Sequence, residues 1–356
     1  MVQVTYAIVS AIIGLGILIV IHELGHFLLA KKTGVGVLTF SVGFGPKLWV
    51  RKVGETEYAL SAFPLGGYVK MVGEDPQDDV EAKDIERSFV HQGLAKRMAI
   101  VAAGPIFNLL LAVVIFSSIF IAVGKPVLTT KVDRVESDSP AAQVGVLGGD
   151  RIIEVNGHAV KDWQQLSSRI QESQGRPLKL RLVRGGQEIE VAVRPVKREA
   201  TDIFGEKKER WAIGIIMGEV VFEKSPPWVG LRQGLYETGS HSAFTLLALF
   251  KMLKGDLSPR NLGGPLLIAQ VAGKQAQEGP VSFFFFVAVL SVNLGVLNLL
   301  PIPILDGGHL LFFLIEWMRG RPVELRYRER AQQVGIFFLI LIMIYAFYND
   351  ILRFFE

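Results

Sequence analysis

Apolar residues in this chain gather into four long runs separated by polar stretches, unlike the short alternating elements of a soluble domain. The first, Tyr6 to Ala30, is about 25 residues long and reaches roughly 37 Å as a helix, enough to cross a bilayer. The others run from Met98 to Val123, from Val281 to Leu300 continuing toward Trp317, and from Val334 to Phe347, the last short for a span. Nothing basic precedes the first run, and Lys31-Lys32 stand at its end in place of a small-residue cleavage site, so it reads as a retained span and not a signal peptide.

The polar stretches carry strand patterns. Phe40 to Met71 holds "FSVGFGPKLWV" and "EYALSAFPLGGYVKM", alternating apolar residues punctuated by glycines, which predicts a hairpin. Its edge cannot lie bare in lipid, so it must pack on helices or line a wet cavity. Between the second and third runs lie about 150 polar residues, room for one small domain and a connector. Within them, Ser139-Pro140-Ala141-Ala142 marks a helix start, Gly148-Gly149-Asp150 a turn, Arg151 to Val155 a strand and Asn156-Gly157 a hairpin turn. "WQQLSSRIQES" has helical spacing, and "LKLRLVRGGQEIEVAVRP" is a second hairpin. This order, over about Pro126 to Pro195, resembles a bacterial PDZ domain. Farther on, "AFTLLALFKML" from Ala243 to Leu253 is too short to span and reads as an interfacial helix or a core helix of the polar region.

The expected architecture is therefore an α-helical polytopic membrane protein with about four transmembrane helices, a membrane-associated β-hairpin and an inserted α+β PDZ-like domain. Its predicted parts are a first membrane segment over 1–125, the PDZ-like domain over 126–220, a connector with an interfacial helix over 221–280 and a second membrane segment over 281–356. Basic residues set the orientation. Lys31, Lys32, Lys96 and Arg97 flank the first loop, and Arg319, Arg321, Arg326, Arg328 and Arg330 fill the last, so both loops read as cytoplasmic. Both termini and the PDZ-like domain then lie outside.

Half of the residues are hydrophobic, and the net charge is only +4, with no basic block interleaved with aromatics, so nucleic acid is not an expected partner. The absence of cysteine removes thiolate ligands, leaving nitrogen and oxygen to hold any metal.

Against this apolar background, His22-Glu23-Leu24-Gly25-His26 stands out as H-E-x-x-H inside the first run. Histidines at i and i+4 share a helix face and can hold one zinc, with the adjacent glutamate placed to take a proton from water. The bland alternative is a packed histidine pair with Glu23 as counter-ion, but ionisable groups inside a span are functional candidates by default. A third ligand must come from elsewhere, because a soluble metzincin would need histidine at position 32, which is Lys32. "SVNLGVLNLLPIPILDGGHLL", Ser291 to Leu311, offers two: Asp306, after helix-breaking Pro301 and Pro303, and His309, three residues on. Spacing leaves both open.

H-E-L-G-H in the first run, "GPIFN" in the second and "NLLPIPILDGG" in the third, with a PDZ-like insert between the last two, resemble the site-2 protease family of intramembrane zinc metalloproteases, in its bacterial regulator-of-sigma-E branch. "NLGGP" at 261–265 and "PLGGYVKM" at 64–71 extend the likeness over nearly the whole chain. The resemblance implies Zn2+ held by His22, His26 and Asp306, with Glu23 catalytic. It implies substrate handling by Asn293 and Asn298 in the motif that contains Pro301 and Pro303. Gly66, Gly67 and Tyr68 lie in the hairpin that could pair with an extended substrate, or could simply plug the bundle. His309 becomes a neighbour of the site. Asn108 of "GPIFN" is expected to bond between helices.

The implied protein is a multi-pass enzyme of the bacterial inner (plasma) membrane, probing single-pass membrane substrates such as anti-sigma factors or remnant signal peptides, and acting as a monomer. Gram-negative relatives carry two tandem PDZ domains, whereas this polar region has clear sequence for one, which could contact substrate tails or regulators. The rival reading, an inactive membrane-anchored PDZ scaffold or holdase, predicts loss of one of His22, Glu23, His26 and Asp306, and all four are present.

Overall fold

The computed structural model describes residues 2–75, 80–201, 207–261 and 263–353. It divides into two compact units, one formed by Met1–Ile119 with Leu231–Glu356 and the other by Phe120–Gly230.

The first unit begins with α1 (Val2–Thr33), which is helical because a backbone in lipid must satisfy its amides internally. Strands β1 (Val37–Val53) and β2 (Thr56–Met71) follow, then α2 (Leu94–Ala122). The hairpin bends back on itself. Thr39 to Val42 pair on one side with Lys70 to Gly67 and on the other with Glu57 to Leu60, while Trp49 to Lys52 pair with the far side of Leu60 to Glu57. The two strands therefore lay down four antiparallel rows, and the Gly67–Lys70 row is an edge: no further strand pairs with it among the described residues. Val37, Val69 and Met71 enter a core with Ala30, Ile100, Val101 and Phe313, which fastens the hairpin to the helices as its apolar pattern required.

In the second unit, β3 (Lys125–Leu128), β4 (Val132–Val135), α3 (Pro140–Gln143), β5 (Arg151–Val155), β6 (His158–Ala159), α4 (Trp163–Glu172), β7 (Leu178–Arg184) and β8 (Gln187–Val193) follow the order expected from sequence. They continue into β9 (Val196–Thr201), β10 (Lys207–Ala212), β11 (Ile215–Met217) and β12 (Val220–Glu223). The main sheet runs β6-β5-β7-β8, with separate pairs β9·β10, β4·β11 and β3·β12. Leu180 and Leu182 point to one face by strand alternation, Ile152 and Val155 join them because a bulge between Ile152 and Glu154 resets the alternation of β5, and Leu166 and Ile170 of α4 are buried in the same core. Ser139 Oγ accepts from the Ala142 amide at 3.2 Å and Asp162 Oδ1 from Gln165 at 2.8 Å, so both helices start on side-chain caps.

The chain returns to the first unit through α5 (Pro227–Lys254), α6 (Pro265–Glu278), α7 (Pro280–Asn298), α8 (Asp306–Arg319) and α9 (Leu325–Arg353). Four helical stretches are long and apolar enough to cross a membrane: Thr5–Thr33, Leu94–Ala122, Pro280–Asn298 and Leu325–Arg353. Two expectations change. The third run does not continue as one helix toward Trp317, because the proline segment separates α7 from α8. The short helix expected over Ala243 to Leu253 is the end of a 28-residue helix. Its first half was hidden by Arg232, Glu237 and His241, and Gly234 lets it lie close to α2: a Cβ there would stand 2.2 Å from Ser117 Oγ. Of the "NLGGP" motif, Leu262 lies outside the described residues.

Asp150 ties the second unit together. It is 1% exposed, accepts from Arg184 Nε at 2.7 Å and Nη2 at 2.8 Å, and also from the Leu147 amide at 2.8 Å. Burial pushes its carboxyl up, but the Arg184 and Leu147 hydrogen bonds outweigh that and hold it below the usual carboxylate range. The stabilisation is therefore fully present above the unfolded-state pKa of about 3.9 and is lost as pH falls through the lower folded-state value. Asp150→Asn should destabilise this unit by about 1–3 kcal/mol near neutrality. In near-ultraviolet circular dichroism melts of the full-length protein, the gap between wild type and variant should close as the pH drops below about 4.

Candidate metal centre

His22, Glu23 and His26 sit on the middle-to-late part of α1, and the i, i+4 spacing turns both imidazoles to one side. Asp306 arrives from the other end of the chain. Pro301 and Pro303 end the α7 helical path, and Leu299 to Leu305 form a tight turn, with Ile302 N donating to Leu300 O at 2.7 Å and Leu305 N to Ile302 O at 2.8 Å. The first turn of α8 folds directly against that loop. A Cβ on Gly307 would stand 2.1 Å from Leu300 O and one on Gly308 2.3 Å from Ile302 O, so the two glycines after Asp306 permit the approach. At this helix start the backbone dipole favours the anionic carboxylate.

The three side chains converge. His22 Nε2 is 3.1 Å from Asp306 Oδ2, His26 Nε2 is 3.7 Å from Asp306 Oδ1, and the two Nε2 atoms are 3.2 Å apart. Ligands about 2.0–2.1 Å from a tetrahedral zinc lie about 3.4 Å from one another, so the spacing suits such an ion and leaves a fourth position for water or substrate. Two nitrogens and one carboxylate oxygen are also a fitting donor set for zinc in a chain without cysteine. Among the described residues, His309 is not part of this convergent group, although it lines the same cavity.

Helix α2 holds the imidazoles from behind. His26 Nδ1 lies 2.8 Å from the Ile100 carbonyl, and Asn108 Nδ2 lies 3.2 Å from His22 Nδ1. Gly104, between them on α2, makes room for the rings: a Cβ there would stand 2.3 Å from His26 Nε2 and 2.8 Å from His22 Cε1. Asn108 thus bonds between helices, and its partner is one of the candidate ligands.

The centre opens into a cavity of about 520 Å³, lined by His22, Glu23, His26 and Asp306 together with Glu74, Arg97, Arg328 and Glu329. Arg97 donates to both oxygens of Glu316, at 3.3 and 2.5 Å, with both side chains largely buried, and its guanidinium lies 5.0 Å from the Phe313 ring. Tyr68 also lines the cavity, with its ring stacked at 6.1 Å on Phe44. The edge row passes beside the glutamate, since a Cβ on Gly67 would lie 3.2 Å from Glu23 Cγ, while Gly66 lies against Phe44.

Asn293 and Asn298 are not brought to the cavity wall, nor are Pro301 and Pro303. Asn293 Oδ1 instead accepts from Thr245 Oγ1 of α5 at 2.7 Å. Sequence reasoning missed Gly104, the Ile100 carbonyl and the Arg97–Glu316 pair. Gly104 opens the quoted "GPIFN" segment, so its signal was present, whereas a backbone acceptor has none.

Comparison with known proteins gives a family. The model of peptidase family M50 matches residues 10–342. A Rhizobium meliloti protein named as a zinc metalloprotease is 36% identical, over 97% of this chain and 96% of that protein. The zinc metalloprotease RasP of Geobacillus kaustophilus is 32% identical over the whole of both chains. Among solved structures, the PDZ domain of an SdrC-like protein from Listeria monocytogenes is 27% identical, covering 25% of this chain and 87% of that domain, at a TM-score of 0.21. The family match over nearly the full length and the relatives at this identity agree with the H-E-x-x-H helix and its distant aspartate: the chain belongs to peptidase family M50.

Proposed function

We propose that this multi-pass membrane protein is a zinc endopeptidase that cleaves peptide bonds within the transmembrane segments of single-pass membrane proteins. The observation that carries the reading is the convergence of His22, His26 and Asp306 beside Glu23, in a cavity that an unpaired strand edge borders.

Zinc held by His22, His26 and Asp306 would polarise the scissile carbonyl and acidify water in the fourth position. Glu23, next to His22 in the chain, takes the proton of the attacking water and passes it to the leaving amine nitrogen. A helical substrate hides its carbonyls in its own hydrogen bonds, so it must be extended before attack. The Gly67–Lys70 edge offers amides and carbonyls for strand addition within reach of Glu23, with Tyr68 facing the cavity. Asn293, Asn298, Pro301 and Pro303 lie off the cavity wall, in the chain segment that leads to Asp306, and in this reading meet the substrate only where it extends beyond the cavity.

Glu74, Arg97, Arg328 and Glu329 of the cavity lining fall within the stretches between spans read as cytoplasmic, so in this reading cleavage falls toward the cytoplasmic side of the substrate's span and water reaches the centre from that side. Both termini and the PDZ-like unit lie outside the cell membrane, where that unit contacts substrate tails or regulators. The substrates suited to this arrangement are anti-sigma factors or remnant signal peptides, and the enzyme works as a monomer.

Glu23→Gln should keep bound zinc yet lower cleavage of a single-span model substrate by at least about 100-fold. Undiminished cleavage would refute the reading. Metal analysis of purified variants should find Asp306→Asn depleted of zinc and His309→Ala near normal; the reverse pattern would move the third ligand to His309. Gly104→Ala should also lose zinc, because its new methyl group enters the space of both imidazoles, and retention of full zinc content would show that the rings can shift.

A further inference from the structure

Asn108, beside the centre, is fully buried at 0% exposure, and among the described residues its Oδ1 has no hydrogen-bond partner. Buried acceptors of this kind call for a physical reason. Its Nδ2 end lies 3.2 Å from His22 Nδ1, and the opposite nitrogen of that ring, Nε2, faces Asp306 and His26. The ring can ligate through Nε2 only if Nδ1 carries the proton. The Nδ1–H would then face the amide NH2, setting donor against donor while an acceptor on the same side chain goes unused.

An amide turned end for end occupies the same volume. The turn replaces the facing pair of N–H groups with one N–H···O bond and brings Oδ1 onto His22. We propose that Asn108 is a positioning residue whose side-chain oxygen accepts the His22 Nδ1–H, and so selects the tautomer that points the Nε2 lone pair at the metal. This rests on the reading of His22 as a zinc ligand. His26 is served in the same way by the Ile100 carbonyl, 2.8 Å from its Nδ1. Both ligands are thus oriented from α2, one by backbone and one by a side chain, and only the second can be removed by substitution. Such outer partners hold the ring direction and raise its basicity, and their loss weakens metal binding by about 10–100-fold.

The structural alternative is that Asn108 only ties helices together. That tie exists separately, since Ser291 Oγ of α7 donates to the Asn108 backbone carbonyl at 2.7 Å. The test uses full-length protein in detergent, with zinc affinity measured by chelator competition and the visible spectrum of the cobalt(II)-loaded protein as a report on ligand geometry. Asn108→Leu, close in size but without an acceptor, should bind zinc about 10–100-fold more weakly and shift the cobalt bands. Asn108→Asp, which restores an acceptor oxygen, should recover affinity and spectrum. Ser291→Ala should match wild type in both. Wild-type affinity in Asn108→Leu, or equal weakening in the Leu and Asp variants, would overturn the role of the amide. His22→Ala that binds zinc as wild type does would overturn the ligand assignment itself, and with it this inference, by a result that the Asn108 variants alone cannot produce.

Discussion

Three ionisable side chains meet inside an apolar bundle, and that meeting governs the rest of the first unit. Desolvating a histidine pair and a carboxylate is costly unless each charge or lone pair finds a partner. Here the Nε2 atoms and the Asp306 oxygens approach to between 3.1 and 3.7 Å, an arrangement that a single divalent cation completes. Holding it demands that α1, α2 and the start of α8 come together with little tolerance. Glycines supply that closeness: Gly104 clears the imidazoles, and Gly307 with Gly308 lets the aspartate-bearing turn fold onto its own loop.

The same constraint explains the hairpin. A hydrolytic site needs water and an extended peptide, and neither is at home in lipid. The doubled-back β1–β2 sheet brings a strand edge to Glu23 while its valines and methionine bury against α1, α2 and α8. In the cavity wall, Arg97 is satisfied by Glu316 and by the Phe313 face, so a charge can stand there without a solvent shell of its own.

Much of this was legible in the sequence, for reasons that particular residues make plain. Ionisable groups in a span are rare enough that His22, Glu23 and His26 stood out unaided, and strand alternation with Ser139, Asp150 and Asn156-Gly157 at turns outlined the second unit. Periodicity could not choose between Asp306 and His309, since both follow the proline break at helical spacing; only the direction of the first turn of α8 separates them. The full length of α5 was invisible because a hydropathy reading stops at Arg232, Glu237 and His241, while packing against Ser117 depends on the absence of a side chain at Gly234. The partner of Asn293 was not legible either, since Thr245 donates to it from another helix, at a sequence separation that no local pattern encodes.

Several of the remaining polar groups within the bundle follow one rule, that they are matched across helices. The C-terminal part of α9 carries Asn349 and Asp350, both buried, in a helix otherwise outward-facing from Ile336 to Tyr345. Asp350 accepts from the Gly264 amide at 3.0 Å on one oxygen and from Leu266 and Leu267 at 3.0 and 3.1 Å on the other, so it caps α6 from a separate helix. A Cβ on Gly264 would stand 2.5 Å from that carboxylate, which accounts for a glycine immediately before the proline that opens α6. Lipid gives apolar side chains little reason to prefer a helix neighbour over an acyl chain, so directional bonds such as this one, Ser291 to Asn108 and Thr245 to Asn293 determine which helices are neighbours. The polar residues that seem misplaced in a membrane sequence are then the ones that specify its tertiary structure, and the metal centre is the strongest instance of the rule.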